Sequence, residues 1–185
     1  ACNENRLLLY RGFGEKTQQN IKESIEFYFG SLGSYLYQQI ESYAQAVDAK
    51  LKNVFKGQTF LFTGEYRRQL EIIDTLEWVT TVPMNALRDF FTKVGFDILK
   101  EEGDYLSCKG KENVTLGFYC CQQDALYSCL FRTSCSENFL EAWTNATQWN
   151  AQQAYVSEEA IFSKAGMAFV PAFQREEANV IEQAR

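Results

Sequence analysis

Between residues 17 and 55, apolar side chains return every three or four positions, at Ile21, Ile25, Tyr28, Leu32, Leu36, Ile40, Tyr43, Val47, Leu51 and Val54. This spacing holds one stripe on one side of a helix, and at 3.6 residues per turn the stripe lasts about ten turns. A compact domain of this size seldom covers so long a seam. Two readings stay open: the seam packs against a second helix, internal or from a neighbouring subunit, or it is buried in the chain's own core. On the first, Ile21, Ile25, Tyr28, Leu32, Leu36, Ile40, Tyr43 and Val47 form a partner-binding face. Gly30 and Gly33 interrupt the rod and mark a bend or a close approach of another backbone.

Gly57 ends the rod, residues 59–63 read as a short strand, and residues 66–79 carry Leu70, Ile73 and Leu76 at helical spacing. Residues 1–80 therefore read as an α-rich N-terminal extension. Pro83 suits the start of a helix in which Leu87, Phe90, Phe91 and Val94 share a face before Gly95 closes it. Four short strands are predicted next, at 96–100, 105–109, 114–121 and 126–133, with turns at Gly103, Gly110 and Asp124. In the last hairpin, Leu116, Phe118 and Cys120 alternate against Tyr127, Cys129 and Phe131. An Asp124-Ala125 loop would set Phe118 opposite Phe131 and Cys120 opposite Cys129. Ser136 is placed to cap a helix with Phe139, Trp143 and Ala146 on one side. Two closing strands follow at 154–156 and 161–170, then a polar tail from residue 174 to 185. The fold class expected is α/β (α+β), an antiparallel sheet meander flanked by helices behind a long helical extension.

A chain of 185 residues buries roughly 70% of the surface its unfolded form exposes, so it can carry a conventional core. The net charge of −6 and the dilution of Lys50, Lys52, Lys56, Arg67 and Arg68 by acidic neighbours argue against a nucleic-acid partner. Histidine is absent, which removes the usual general base near neutral pH, a common zinc and haem ligand, and every Ser-His or Cys-His nucleophile pair. No acidic residue is marked out by motif, and no cofactor is implied. No stretch approaches the roughly 20 apolar residues that a membrane span needs.

Six cysteines, five of them at 108, 120, 121, 129 and 135, favour an oxidising compartment. The disulfide candidates are Cys120, Cys129, Cys121, Cys135 and Cys108. A Cys120–Cys129 bond would staple neighbouring strands and contribute about 2 to 3 kcal/mol. No Cys-x-x-Cys motif occurs, and the cysteine spacing matches no zinc pattern. An alanine at position 1 fits removal of an initiator methionine or of an export signal. The location expected is periplasmic or extracellular, with cytoplasmic as the alternative.

Gly95, Tyr119-Cys120-Cys121, Tyr127-Ser128-Cys129-Leu130-Phe131, Phe139-Leu140, Trp149-Asn150, Ala154-Tyr155 and Met167-Ala168-Phe169-Val170 occur in an order that resembles the YbjN family. Those proteins are similar in fold to type III secretion chaperones. The resemblance covers residues 82–172. It departs from the family where many members have an arginine after Trp-Asn and a glycine-containing acidic turn before the last strand; here stand Gln152-Gln153 and residues 157–160. It implies a chaperone-like domain at 81–173 and protein binding rather than catalysis. Composition, seam and resemblance together predict a non-enzymatic exported protein-binding protein. Such a chain would be an assembly or accessory subunit, or a chaperone-like factor, for a protein partner or for copies of itself, with a membrane complex among the possible settings. The alternative is a secreted thiol-redox or carboxylate-based enzyme.

Overall fold

The computed structural model describes residues 33–185 and, ahead of them, Lys16. Ile21, Ile25, Tyr28, Leu32 and the Gly30 break lie outside the described residues. Within them the rod does not run on unbroken. Gly33 takes a left-handed φ of 74°, and Tyr35–Leu36 form a strand, β1, that pairs antiparallel with Ile72–Ile73. Leu36 is thus extended strand rather than helix. The helix α1 begins only at Tyr37 and ends at Val54, its first turn tied by the Leu36 N–H donating to Gln39 Oε1 at 3.2 Å.

Five further strands build one mixed sheet: β2 (Phe60–Thr63), β4 (Thr75–Thr80), β5 (Asp97–Glu102), β6 (Tyr105–Lys109) and β7 (Thr115–Cys120), with Ile72–Ile73 as β3. The spatial order is β2-β4-β7-β6-β5. β4 and β7 run parallel, with Trp78 beside Phe118, and every other neighbouring pair is antiparallel. The class is α+β. The sheet is mixed because α3 (Met84–Lys93) carries the chain away from β4, and the β5–β6–β7 meander then brings its third strand back alongside. Residue 81 therefore falls inside one sheet, between strands of the same layer, rather than between an extension and a domain.

Alternation gives the sheet two unlike faces. On the front, Phe60, Leu76, Trp78, Leu106, Cys108, Leu116 and Phe118 form a core with Ile40, Ala44 and Leu51 of α1 and Leu87 and Phe91 of α3. Trp78 stacks on Phe118 at 5.4 Å and donates its indole N–H to Asp48 Oδ1 at 3.1 Å. The sheet thus covers the lower part of the α1 stripe. The line that it buries is Ile40, Ala44, Asp48 and Leu51, rotated from the predicted Tyr43 and Val47, which are half-buried.

The fourth predicted strand is a helix. After a 3-10 turn at Gln123–Ala125, α4 runs Leu126–Thr133. Leu126, Cys129 and Leu130 pack against Val79 on the back of the sheet, while Phe131 faces the other way into a second core. A segment buried on both sides is apolar nearly throughout, so its period is hard to read as helix or strand. The Cys120–Cys129 hairpin register consequently does not exist. The helix α5 (Glu137–Thr147) starts as predicted at Ser136, whose hydroxyl accepts the Phe139 N–H at 3.1 Å. The predicted closing strands are absent: Ser157 caps α6 (Glu158–Lys164), which buries Ile161 and Phe162. The element states behind the YbjN likeness therefore differ at 127–131 and 167–170.

The polar tail also packs. A 3-10 turn (Ala172–Gln174) and α7 (Val180–Gln183) return Arg175, Ile181 and Ala184 to a core with Phe131, Phe139, Trp143 and Phe162.

Candidate functional site

The back face of the sheet carries a carboxyl, Glu77, whose pKa is raised by burial. Thr63, Glu77, Gly117 and Ser107 lie in one row across β2, β4, β7 and β6. Gly64 opens the short helix α2 (Gly64–Arg68) with φ 62°, a conformation that glycine adopts without cost. A Cβ at Gly64 would overlap Glu77 Oε2, and one at Gly117 would lie 2.5 Å from the Tyr105 hydroxyl. The two glycines therefore make the space in which a carboxyl and a phenol meet.

Tyr105 and Tyr119 pair across β6 and β7 with ring centroids 4.8 Å apart, and the Tyr105 hydroxyl and the Glu77 side chain close over Gly117 from two sides. Burial raises the Glu77 pKa above its ordinary value, and the nearby Glu65 adds to the rise. The neighbouring Tyr119 and Tyr105 hydroxyls and the charge of Arg68 offset part of it. Both phenols are pushed up as well, by burial and by the carboxylate beside them. Glu65 is held elsewhere, accepting the Asp74 N–H at 2.7 Å. Chemically the arrangement favours the protonated forms of one carboxyl and two phenols. It was not legible in sequence, where Glu77 follows no motif.

The five described cysteines are unpaired thiols. Cys108 lies in the front core and Cys135 in the helical core, where its thiol donates to the Phe131 carbonyl at 3.1 Å. Cys120 packs toward the front core. Its strand partner is Thr80, not Cys129. Burial pushes Cys108, Cys120 and Cys135 up to about 12. Cys121 and Cys129 instead meet behind the sheet.

Where the sheet joins the helical core, a buried charge cluster acts as a rivet. Arg175, wholly buried, donates from Nη1 to Glu158 Oε1 at 2.7 Å and from Nε to the Val170 carbonyl at 2.8 Å. Arg67 grips the same carboxylate and donates to the Ser134 hydroxyl at 2.8 Å. Burial alone would raise the Glu158 pKa, but Arg67 and Arg175 outweigh it and hold the carboxyl below its ordinary value. The guanidinium of Arg175 lies 5.2 Å from the ring centroids of both Phe131 and Phe162. No spacing rule links Arg67, Glu158 and Arg175, so sequence reading had no signal for them.

The predicted partner-binding residues separate. Ile40 is interior. Tyr43 and Val47 line an open apolar groove of about 250 Å³ between α1 and α3, shared with Phe90, Val94 and Phe96 and edged by Lys50 and Glu112. Leu36 borders another cleft, with Tyr37, Leu70 and Glu71. Among the described residues, no three His, Cys, Asp or Glu side chains are gathered so as to hold a metal ion. No described helix is long and apolar enough to cross a membrane. No family model matches the chain, and no curated protein matches it.

Proposed function

We propose that the chain is a non-enzymatic protein-binding module that takes an amphipathic helix, from a second protein or a second copy of itself, into the groove between α1 and α3. The groove carries this reading. It is an apolar slot between two helices, with Val94 at its mouth 46% exposed and a cation and an anion on its edges. That is the shape and chemistry that receive the apolar face of a third helix. Part of the predicted seam is in use by the chain's own sheet, so the docking surface is smaller than the rod suggested: Tyr43 and Val47 remain, joined by residues of α3. Thiols held singly in two separate cores favour the cytoplasmic alternative over export.

The full chain carrying a photo-cross-linker at Val94 provides the test. Adducts that map to another polypeptide, lost in Val47→Asp, are expected; adducts only to residues 17–32 of the same chain overturn the reading. The carboxylate-enzyme alternative rests on Glu77. Its space is filled by the Tyr105 and Tyr119 hydroxyls, which favours a structural role for that carboxyl.

A further inference from the structure

Cys121 continues β7 by one residue, its N–H donating to the Thr80 carbonyl at 2.9 Å, and alternation turns its side chain to the back of the sheet while Cys120 faces the front. There α4 lies across the sheet, and Cys121 packs into the cluster that holds Cys129, Leu126, Leu130 and Val79. The two thiols thus share one packed cluster between the end of β7 and α4. One turn further along α4, Arg132 brings Nη2 to 3.9 Å from Cys129 Sγ. Its guanidinium lies over the Tyr119 ring and 3.6 Å from Asp104 Oδ2. Cys121 and Cys129 therefore share one cluster, with a cation at one of the two sulfurs.

The electrostatics follow the geometry. The neighbouring Cys121 thiol lowers the Cys129 pKa, burial opposes it, and Arg132 lowers it further. Cys121 is raised, by Cys129 beside it and by burial. Cys129 is buried too, but it is the thiol that its neighbours favour as thiolate, while Cys108, Cys120 and Cys135 are raised.

We propose that Cys129 and Cys121 form a redox-modification site, with Cys129 as the attacking thiolate and Cys121 as the resolving thiol, oxidised by a hydroperoxide to a disulfide that fastens the end of β7 to α4. The Cys129 thiolate attacks one oxygen of the peroxide, the O–O bond breaks, and hydroxide leaves and takes a proton, so that Cys129 becomes a sulfenic acid. The Cys121 sulfur then attacks the Cys129 sulfur, the S–O bond breaks, and the departing hydroxide takes the Cys121 proton and leaves as water. The two thiols lose two electrons and two protons; one peroxide becomes two waters. A thiol reductant reverses the bond by exchange.

The test treats the folded full chain with hydrogen peroxide and reads intact mass and peptide linkage. Loss of the mass of two hydrogens is expected, restored by reductant, with fragmentation placing the bond between Cys121 and Cys129. Cys120→Ser should keep the cross-link. Cys121→Ser should abolish it and let a sulfenic acid on Cys129 be trapped by dimedone, and Arg132→Gln should slow the Cys129 reaction. A cross-link that persists in Cys121→Ser, or a wild-type chain whose Cys129 gains only oxygen or stays unmodified, overturns the proposal.

Discussion

Glu77 keeps its proton to a higher pH in the folded chain than in the unfolded one, because burial penalises the carboxylate more than two tyrosine hydroxyls repay it. The sign of the pH effect follows. A raised folded pKa adds stability that is complete below the ordinary value of 4.5 and is lost as pH rises through the folded value. Glu77→Gln, which remains neutral, should remove that loss. In urea titrations the wild type is expected to be the more stable near pH 4, and its advantage should shrink or reverse by pH 8. A wild-type-minus-variant difference independent of pH would show that the Glu77 pKa is the same in the folded and the unfolded chain. At this scale little was readable beforehand. A carboxyl's environment comes from Gly64, Gly117, Tyr105 and Tyr119, which are distant in sequence and meet only through sheet register.

Elements whose signal is local were legible: α3 between Pro83 and Gly95, β6 and β7 by alternation, and α5 by its serine cap. The Ser136 hydroxyl accepts the Phe139 N–H and donates to the Glu176 carbonyl at 2.7 Å. Ser136→Ala therefore loses a cap and a tether to the C-terminal segment. A loss of about 1 kcal/mol is expected from the cap, and accelerated amide exchange at residues 137–140 would locate it. Elements buried on two sides were misread. Tyr127, Cys129 and Phe131 fit a strand's alternation, yet Leu126, Cys129 and Leu130 fit a helix's turn equally well, and contact with Val79 on one side and Phe139 and Trp143 beyond the other settles the matter. For α6, the signal present was Ser157 followed by Glu158 and Glu159, a capped and favourably charged first turn. The aliphatic content of residues 161–170 masked it.

At the scale of the molecule, the sheet and the helical core are joined by α4 and by the Arg67–Glu158–Arg175 cluster. Glu158→Gln leaves Arg175 without its countercharge in a closed core, and a loss of about 3 to 5 kcal/mol is expected. The double variant Glu158→Leu with Arg175→Met should lose less than its two single changes add up to, because the buried Arg175 and Glu158 charges leave together and only Arg67, a quarter exposed, loses its carboxylate. Simple additivity in thermal unfolding would rule out the coupling. Because the Glu158 pKa is depressed, its contribution should fade as pH drops below its ordinary range. Sequence alone determined the α+β class, the helix between Pro83 and Gly95, and the poverty in neutral-pH bases that follows from lacking histidine, since these depend on composition and on neighbours within a few residues; the helical spacing of Leu70, Ile73 and Leu76 misled, for it falls on a loop and on β3 and β4. Tertiary structure decided that β4 and β7 lie parallel, that a polar C-terminal segment closes a core, which cysteines meet, and how much of the long seam the sheet conceals. Each of these outcomes sums contacts between residues tens of positions apart, and no local pattern carries that sum.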